Sequence, residues 1–281
     1  MNRPHIEFIQ AQDFNWKVLP NQTARAGSKY KILSRDSETR ASSVILNYPP
    51  GYKISQQHFL DNIEEFFVLD GSISIGEIIF HKHSYAFLPK GFPRKNFESK
   101  EGAVVLTFFE GPHSNVFETY ENFDDSEVVI HLDTNESKFT SNVDPKVVGN
   151  NMSKFILRED KTNGERTWIL NMGPSAPNET SSARLETHPY VEEMFLIDGE
   201  ISMPTGTLKS GAYFWRPGGI EHGPVGTRKG CLMFFRCKGG PFETYWSEDL
   251  HKIIWDAPYK PIIPSDLELE MQPNKDFKGN Y

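Results

Sequence analysis

A chain of 281 residues is long enough for two ordinary domains, and its 37% hydrophobic and 24% charged residues are typical of a globular protein. The net charge is −8 and the sequence contains no cluster of Lys and Arg, so we expect no nucleic-acid partner. No apolar run approaches the roughly 18 residues that span a bilayer, and the first residues lack the apolar stretch of a signal peptide, which predicts a cytoplasmic protein without a membrane partner.

The elements predicted along the chain are short strands. In the first half, apolar runs at 43–47, 66–69 and 104–109 are separated by turn residues, and similar runs follow in the second half. Segments with a helical period are scarce. The Asp-Gly pairs at 70–71 and 198–199 predict hairpin turns, because glycine readily takes the positive φ that such turns require. The pattern predicts an all-β fold of antiparallel barrels or jelly rolls.

An internal repeat divides the chain into two similar halves. The segment EEFFVLDGSIS at 64–74 recurs as EEMFLIDGEIS at 192–202, and the same offset of 128 residues relates several downstream segments. Each copy is roughly 130 residues long, which is the size of a domain rather than of a solenoid repeat. A polar stretch at 132–144 separates the copies. We therefore expect an N-terminal domain at 1–145 and a C-terminal domain at 146–281.

Two motifs in the second copy contain histidine and glutamate, whose side chains commonly bind metal ions in proteins. The string ETHPYVE at 186–192 is followed by PGGIEH at 217–222. This pattern resembles the two motifs of the cupin superfamily, and the local form HPYVEEMFLIDGE resembles cupins of the anti-sigma-factor and acetylacetone-cleaving dioxygenase types. The resemblance implies a bicupin, with two tandem cupin (double-stranded β-helix, jelly-roll) barrels. It also implies that His188, Glu192 and His222 bind one metal ion inside the second barrel.

The expected ligands suit a divalent transition metal. Imidazole and carboxylate ligands without a thiolate fit Fe(II), Mn, Zn, Ni or Cu, and two histidines with one carboxylate form a facial triad with open positions, which favours Fe(II). Glu186 stands where the cupin motif has its first histidine. On an extended strand its side chain and that of Arg184 share a face, so Glu186 is a fourth ligand, a base beside the ligands, or the partner of Arg184.

The first copy lacks two of these ligands. At the aligned positions it carries His58, Leu60, Glu64 and Arg94. Arg94 is permanently charged and could pair with Glu64 in the place where a metal would bind. We therefore expect the N-terminal barrel to be free of metal and to serve dimerisation or packing.

The leading functional hypothesis is a metal-dependent oxidoreductase. We expect a non-haem dioxygenase acting on a small diketone, enol or oxygenated organic acid, which the metal chelates and orients toward O₂. The alternatives are an O₂-independent isomerase, lyase or hydrolase in which Glu186 moves a proton, and a cupin that binds a small molecule without catalysis. Tyr190 or Tyr213 could act as a further acid, and Arg184 or Arg236 could hold a carboxylate or enolate oxygen. Because cupins are commonly dimers, a homodimer is expected.

Overall fold

The computed structural model describes residues 3–21, 23–112, 114–117, 123–134, 138–141, 152–175, 182–272 and 281. The strands of the first half are β1 (Ile6–Gln10), β2 (Lys17–Val18), β3 (Lys29–Arg35), β4 (Ser42–Tyr48), β5 (Tyr52–Ile54), β6 (Phe59–Leu60), β7 (Glu64–Ile75), β8 (Ile78–His81), β9 (Tyr85–Leu88), β10 (Phe97–Ser99), β11 (Ala103–Phe109), β12 (Asn115–Val116) and β13 (Val129–His131).

The strands that follow are β14 (Thr140–Ser141), β15 (Met152–Glu159), β16 (Arg166–Met172), β17 (Ser182–Thr187), β18 (Val191–Met203), β19 (Gly206–Lys209), β20 (Ala212–Arg216), β21 (Cys231–Lys238) and β22 (Tyr245–Lys252). The helical elements whose bounds are described are two 3₁₀ turns, Ala11–Asp13 and Asp125–Glu127, and one helix, α1 (Ser265–Glu268). None of the described helices is long and apolar enough to cross a membrane.

The main sheets of the two halves have the same strand order. In the first half the order is β13-β9-β7-β11-β4-β3-β2, and in the second it is β1-β20-β18-β21-β16-β15-β14. The pairings are antiparallel, and equivalent strands occupy equivalent places, for example β7 between β9 and β11, and β18 between β20 and β21. The sequence repeat is therefore a repeat of fold, and the prediction of an all-β chain with two tandem β-barrels is confirmed.

The chain divides into two compact units, but not in simple chain order. The N-terminal unit contains Met1–Arg3 and Asn15–Asn135, and the C-terminal unit contains Pro4–Phe14 and Glu136–Tyr281. The sequence assignment had placed all of 1–145 in the first domain. The difference arises because β1 pairs with β20 of the second barrel. In the equivalent place of the first barrel, β9 pairs with β13. Because β1 lies outside the repeated segments, no local pattern identified its partner.

Each unit has its own apolar core. In the N-terminal unit, Tyr48 contacts Tyr52 and Phe97 with ring centroids 5.0 and 5.4 Å apart. In the C-terminal unit, Trp168 stacks on Phe235 at 5.1 Å. Side chains alternate between the faces of a strand, so on β16 every second residue from Arg166 onward faces the barrel interior. This alternation positions the walls of the site described below.

The Asp-Gly pairs are not hairpin turns, and that prediction is wrong. Gly71 and Gly199 lie within the long strands β7 and β18, with φ of 70° and 86°, next to irregularities in the pairing with β11 and β21. A Cβ at Gly199 would lie 2.2 Å from the backbone oxygen of Gly230. Glycine is needed here for positive φ and for the close approach of a neighbouring backbone. Both needs are typical of a β-bulge.

Candidate metal centre

Three segments of the C-terminal unit meet at the site. Glu186 lies near the end of β17, His188 follows in the turn before β18, and Glu192 is on β18 itself. His222 lies beyond β20 and is bridged to Glu186 by two backbone hydrogen bonds, each 3.0 Å long. This bridge, and the short chain distance from His188 to Glu192, bring the four residues together.

The four predicted ligands converge on a small volume. One ligand atom each from Glu186, His188 and His222 lies within 4.8 Å of the other two. The Nε2 atoms of His188 and His222 are 3.9 and 3.5 Å from Glu186 oxygens. They are 3.6 and 3.4 Å from the oxygens of Glu192. Two carboxylates therefore flank two imidazole nitrogens.

Both histidines are oriented as metal ligands are. Nδ1 of His188 donates to the backbone oxygen of Glu243 at 2.8 Å, and Nδ1 of His222 donates to that of Ile220 at 3.0 Å. A proton on Nδ1 leaves Nε2 with a lone pair, and metal-bound histidines usually have this second hydrogen bond. Both Nε2 atoms are buried and have no hydrogen-bond partner. The residues present thus fit a divalent ion, which would satisfy both nitrogens.

The carboxylates also affect the imidazole of His222. Burial alone would lower the pKa of His222, but the nearby Glu186 and Glu192 carboxylates outweigh burial and raise it above its usual value. Burial would in turn raise the pKa of Glu186, and His222 and His188 reverse that effect and lower it. Because metal ligands must be deprotonated, protons compete with a metal ion for these groups, so metal affinity should fall as the pH falls.

A buried ion-pair network lies behind Glu192. Arg216 donates hydrogen bonds to Glu192 and, through Nε and Nη2, to both oxygens of Glu7 at 3.0 and 2.6 Å. Burial would raise the pKa of Glu7, but hydrogen bonds and charge from His5 and Arg216 lower it to about 2. Three carboxylates, those of Glu7, Glu186 and Glu192, lie near a single guanidinium. The net charge of these groups is therefore −2 when the imidazoles of His188 and His222 are neutral. A divalent cation would neutralise that charge.

The site opens into a cavity of about 340 Å³, which is within the usual range for small-molecule pockets. Glu186, Glu192 and His222 line it, together with four methionines and an aromatic wall formed by Trp168, Phe214, Phe235, Phe242 and Trp246. The ring of Phe242 stacks on His188 with a centroid distance of 4.4 Å. A partly apolar molecule could therefore be held beside Glu186, Glu192 and His222.

The other side chains that the sequence analysis selected are distributed differently. Arg184 lines the cavity. Tyr190 is 38% exposed and is not part of the cavity wall formed by the described residues. Tyr213 and Arg236 are also not part of it, since both bind the buried carboxylate of Glu193 at 2.6 and 2.8 Å. Glu193 follows Glu192 on β18 and points to the other face of the sheet.

Two important residues were missed. Arg216 is a lone charge in the apolar run AYFWRP at 212–217, a position occupied by Leu88 in the first copy, and that contrast could have drawn attention to it. Glu7 gave no signal, because it is far along the chain and outside the repeat. The network depends on the pairing of β1 with β20.

The equivalent position in the N-terminal unit contains an arginine cluster, made up of Arg25, His58, Glu64 and Arg94. His58 and Arg94 form the same backbone bridge as Glu186 and His222. Arg94 donates to Glu64 at 2.8 Å, as the sequence suggested, and Arg25, which was missed, donates to both Glu64 oxygens at 2.8 and 2.7 Å. Arg25 also contacts Nε2 of His58 at 3.0 Å. Two guanidinium groups thus lie where the second barrel has its candidate ligands.

The arginine cluster should make stability depend on pH. Burial, together with the charges of Arg25 and Arg94, lowers the pKa of His58 from 6.5 to about 4. Between these values the unfolded chain binds a proton that the folded chain does not, so the free energy of unfolding falls as the pH drops. We expect His58 to account for a loss of ~2 kcal/mol between pH 7 and pH 5.

Urea denaturation of wild type and His58→Gln at both pH values measures this contribution. The glutamine oxygen can still accept from Arg25, and the variant should lose ~2 kcal/mol less than wild type. His81→Gln, at an exposed position of the same unit, is the control and should behave as wild type. Equal pH dependence in His58→Gln and wild type would contradict the expectation.

The two antiparallel barrels form a tandem cupin-type fold, and histidines and carboxylates meet inside the second one. The chain belongs to the family described as "Domain of unknown function (DUF4437)", whose profile matches residues 7–243. No curated protein sequence matches it.

Solved structures agree on the fold. A candidate dioxygenase from Nostoc punctiforme is 20% identical over 88% of this chain and 92% of its own, with a TM-score of 0.70. Oxalate decarboxylase from Bacillus subtilis is 12% identical over 85% of this chain and 79% of its own, with a TM-score of 0.53. Another oxalate decarboxylase structure gives 0.55 at the same identity and coverage. At these identities the likeness shows the cupin fold alone.

Proposed function

We propose that this cupin is an enzyme that holds one divalent metal ion in its C-terminal unit and acts on a small oxygenated organic molecule as a non-haem dioxygenase. One observation carries the proposal. Two buried imidazole Nε2 atoms without partners lie between two carboxylates, and the site opens into a cavity of about 340 Å³. His188, His222, Glu192 and Glu186 would hold the ion, with Fe(II) favoured and Mn, Zn, Ni or Cu possible.

A bound ion of this kind would polarise an oxygenated substrate and orient it toward a second reactant. The protein's own side chains do the rest. The aromatic wall excludes water and packs against the apolar part of a diketone, enol or organic acid. Arg216 fixes Glu192 through a buried hydrogen bond, so that this carboxylate keeps its position during turnover. Phe242 fixes the ring of His188 by stacking.

Glu186 is the side chain best placed to move a proton. It lines the cavity, its side chain is 24% exposed, and no guanidinium of the described chain forms an ion pair with it, in contrast to Glu192. The lowered pKa keeps it ionised at neutral pH, so it can accept a proton from an acidic C–H or O–H of the substrate. This observation favours a second candidate, an O₂-independent isomerase, lyase or hydrolase that uses Zn or Mn.

Metal analysis followed by oxygen consumption separates the candidates. The purified protein would be analysed for metal, reloaded with Fe(II) or Zn(II), and tested with a panel of diketones and oxo acids in air and under nitrogen. Oxygen uptake with Fe(II) supports the dioxygenase, whereas turnover under nitrogen with Zn(II) supports the second candidate. Ligand binding without turnover in either condition would show a non-catalytic cupin and overturn the proposal.

The expected homodimer, the cytoplasmic location and the catalytic role of Tyr190 stay predictions.

A further inference from the structure

The charges of the cavity wall are not all balanced. Four basic side chains line the cavity, namely Lys154, Arg166, Arg184 and Arg216. Arg216 is paired with Glu7 and Glu192, and Arg166 is paired with Glu159. The positive charges of these two guanidinium groups are therefore balanced by carboxylates of the protein.

Lys154 and Arg184 have no carboxylate partner within the described part of the chain. Arg184 donates through Nη1 to the backbone oxygens of Ser247 and Glu248, which fix the guanidinium without neutralising its charge. Its Nε is buried and has no hydrogen-bond partner. Lys154 is partly buried on β15, faces the cavity together with Met152 two residues earlier, and forms no ion pair with a described residue.

Metal binding makes this imbalance larger. The two excess negative charges around Glu186 and Glu192 are matched by a divalent ion, so the loaded site is neutral. The remaining net charge of the cavity wall is then +2, from Lys154 and Arg184, and these charges lie in partly apolar surroundings. A positive charge in such surroundings is stabilised by an anion more than in water, because the effective dielectric is lower. The cavity is thus better suited to an anion than to a neutral molecule.

We propose that the ligand of this cavity is a small carboxylic acid, whose carboxylate pairs with Lys154 and Arg184 while its other oxygens reach the site of His188 and His222. The assignment rests on the proposed function and narrows it from diketones, enols and acids to acids. Trp168 and Phe235 pack against the apolar body of the molecule. A carboxylate accepting charge-assisted hydrogen bonds from both cations would bind about tenfold or more tightly than a neutral analogue.

Two probes of nearly equal shape test the assignment. 2,4-Dioxopentanoate differs from pentane-2,4-dione by a carboxylate in place of a methyl group. Their affinities would be measured by calorimetry on the full chain, both metal-free and loaded with Zn(II), which does not react with O₂. We expect the acid to bind at least about tenfold more tightly in the Zn(II)-loaded form, to show a smaller preference in the metal-free form, where the two excess carboxylate charges oppose it, and Lys154→Met to remove most of this preference. Arg184→Met should reduce it as well.

Lys229→Met is the matched control, because Lys229 is exposed and does not line the cavity. It should keep the wild-type preference. No preference for the acid in wild type, or an unchanged preference in Lys154→Met, overturns the assignment. Failure of the proposed function gives a different result, since the Zn(II)-loaded protein would then still prefer the acid, while no substrate was turned over in the metal and oxygen tests.

Discussion

His222→Ala should remove the divalent ion from the protein, whereas Arg94→Ala, the change at the aligned position of the N-terminal unit, should leave the metal content unchanged. His222 supplies a buried nitrogen that lies 3.4 and 3.5 Å from the two carboxylates. Loss of a residue that merely supports a ligand costs roughly 10- to 100-fold in metal affinity, so loss of a ligand should cost about a hundredfold or more.

The measurement is metal content after loading with Zn(II) and dialysis, together with a calorimetric affinity. Because Arg94 is fully buried, Arg94→Ala could destabilise its unit, so His58→Gln serves as a milder second control that keeps a hydrogen-bond acceptor for Arg25. Both controls should retain one equivalent of metal. Equal metal loss in His222→Ala and in the two controls would show that the ion is not bound in the C-terminal unit.

Arg216→Met should destabilise the C-terminal unit strongly. The side chains of Arg216, Glu7 and Glu192 are almost completely buried, and removal of the guanidinium leaves two carboxylates without their positive partner. Breaking a buried pair by removing one partner costs about 3–5 kcal/mol, because the remaining charge is neither solvated nor neutralised. Urea denaturation at pH 7 measures the change in the free energy of unfolding.

Arg228→Met provides the comparison in the same unit. Arg228 pairs with Asp256 at 3.5 Å, but the two side chains are 49% and 91% exposed, so this pair should contribute less than about 1 kcal/mol. Adding Glu7→Gln to Arg216→Met should recover part of the loss, since one uncompensated charge is then removed. Equal stability of the Arg216 and Arg228 variants would contradict the role given to the buried network.

The sequence predicted most of the fold because the signals were local and repeated. The duplicated segment at 64–74 and 192–202 identified two similar units, and the short apolar runs between turn residues identified strands. The Asp-Gly pairs were less informative about local structure. Gly71 and Gly199 were assigned to hairpins, but positive φ is required equally by a hairpin turn and by a β-bulge, and only the backbone neighbours of these glycines separate the two.

The candidate site was predicted in part for the same reason. The resemblance of two motifs to those of cupins implied His188, Glu192 and His222 as ligands, and Glu186 stands where the cupin motif has its first histidine. The structure brings all four together. Their partners were not predictable, since Arg216 depends on Glu7, more than two hundred positions away along the chain.

By itself, the sequence determined that this protein is all-β, that its fold is duplicated, and that the second copy carries the metal-ligand pattern while the first carries Arg94 instead. Only the tertiary structure decided that Pro4–Phe14 completes the C-terminal unit, that Arg25 joins Arg94 on Glu64, and that Lys154 faces the cavity. The physical reason is that periodicity and motif spacing are properties of neighbouring residues. Buried charge pairing and cavity lining depend on which distant strands become neighbours, and the whole fold decides that.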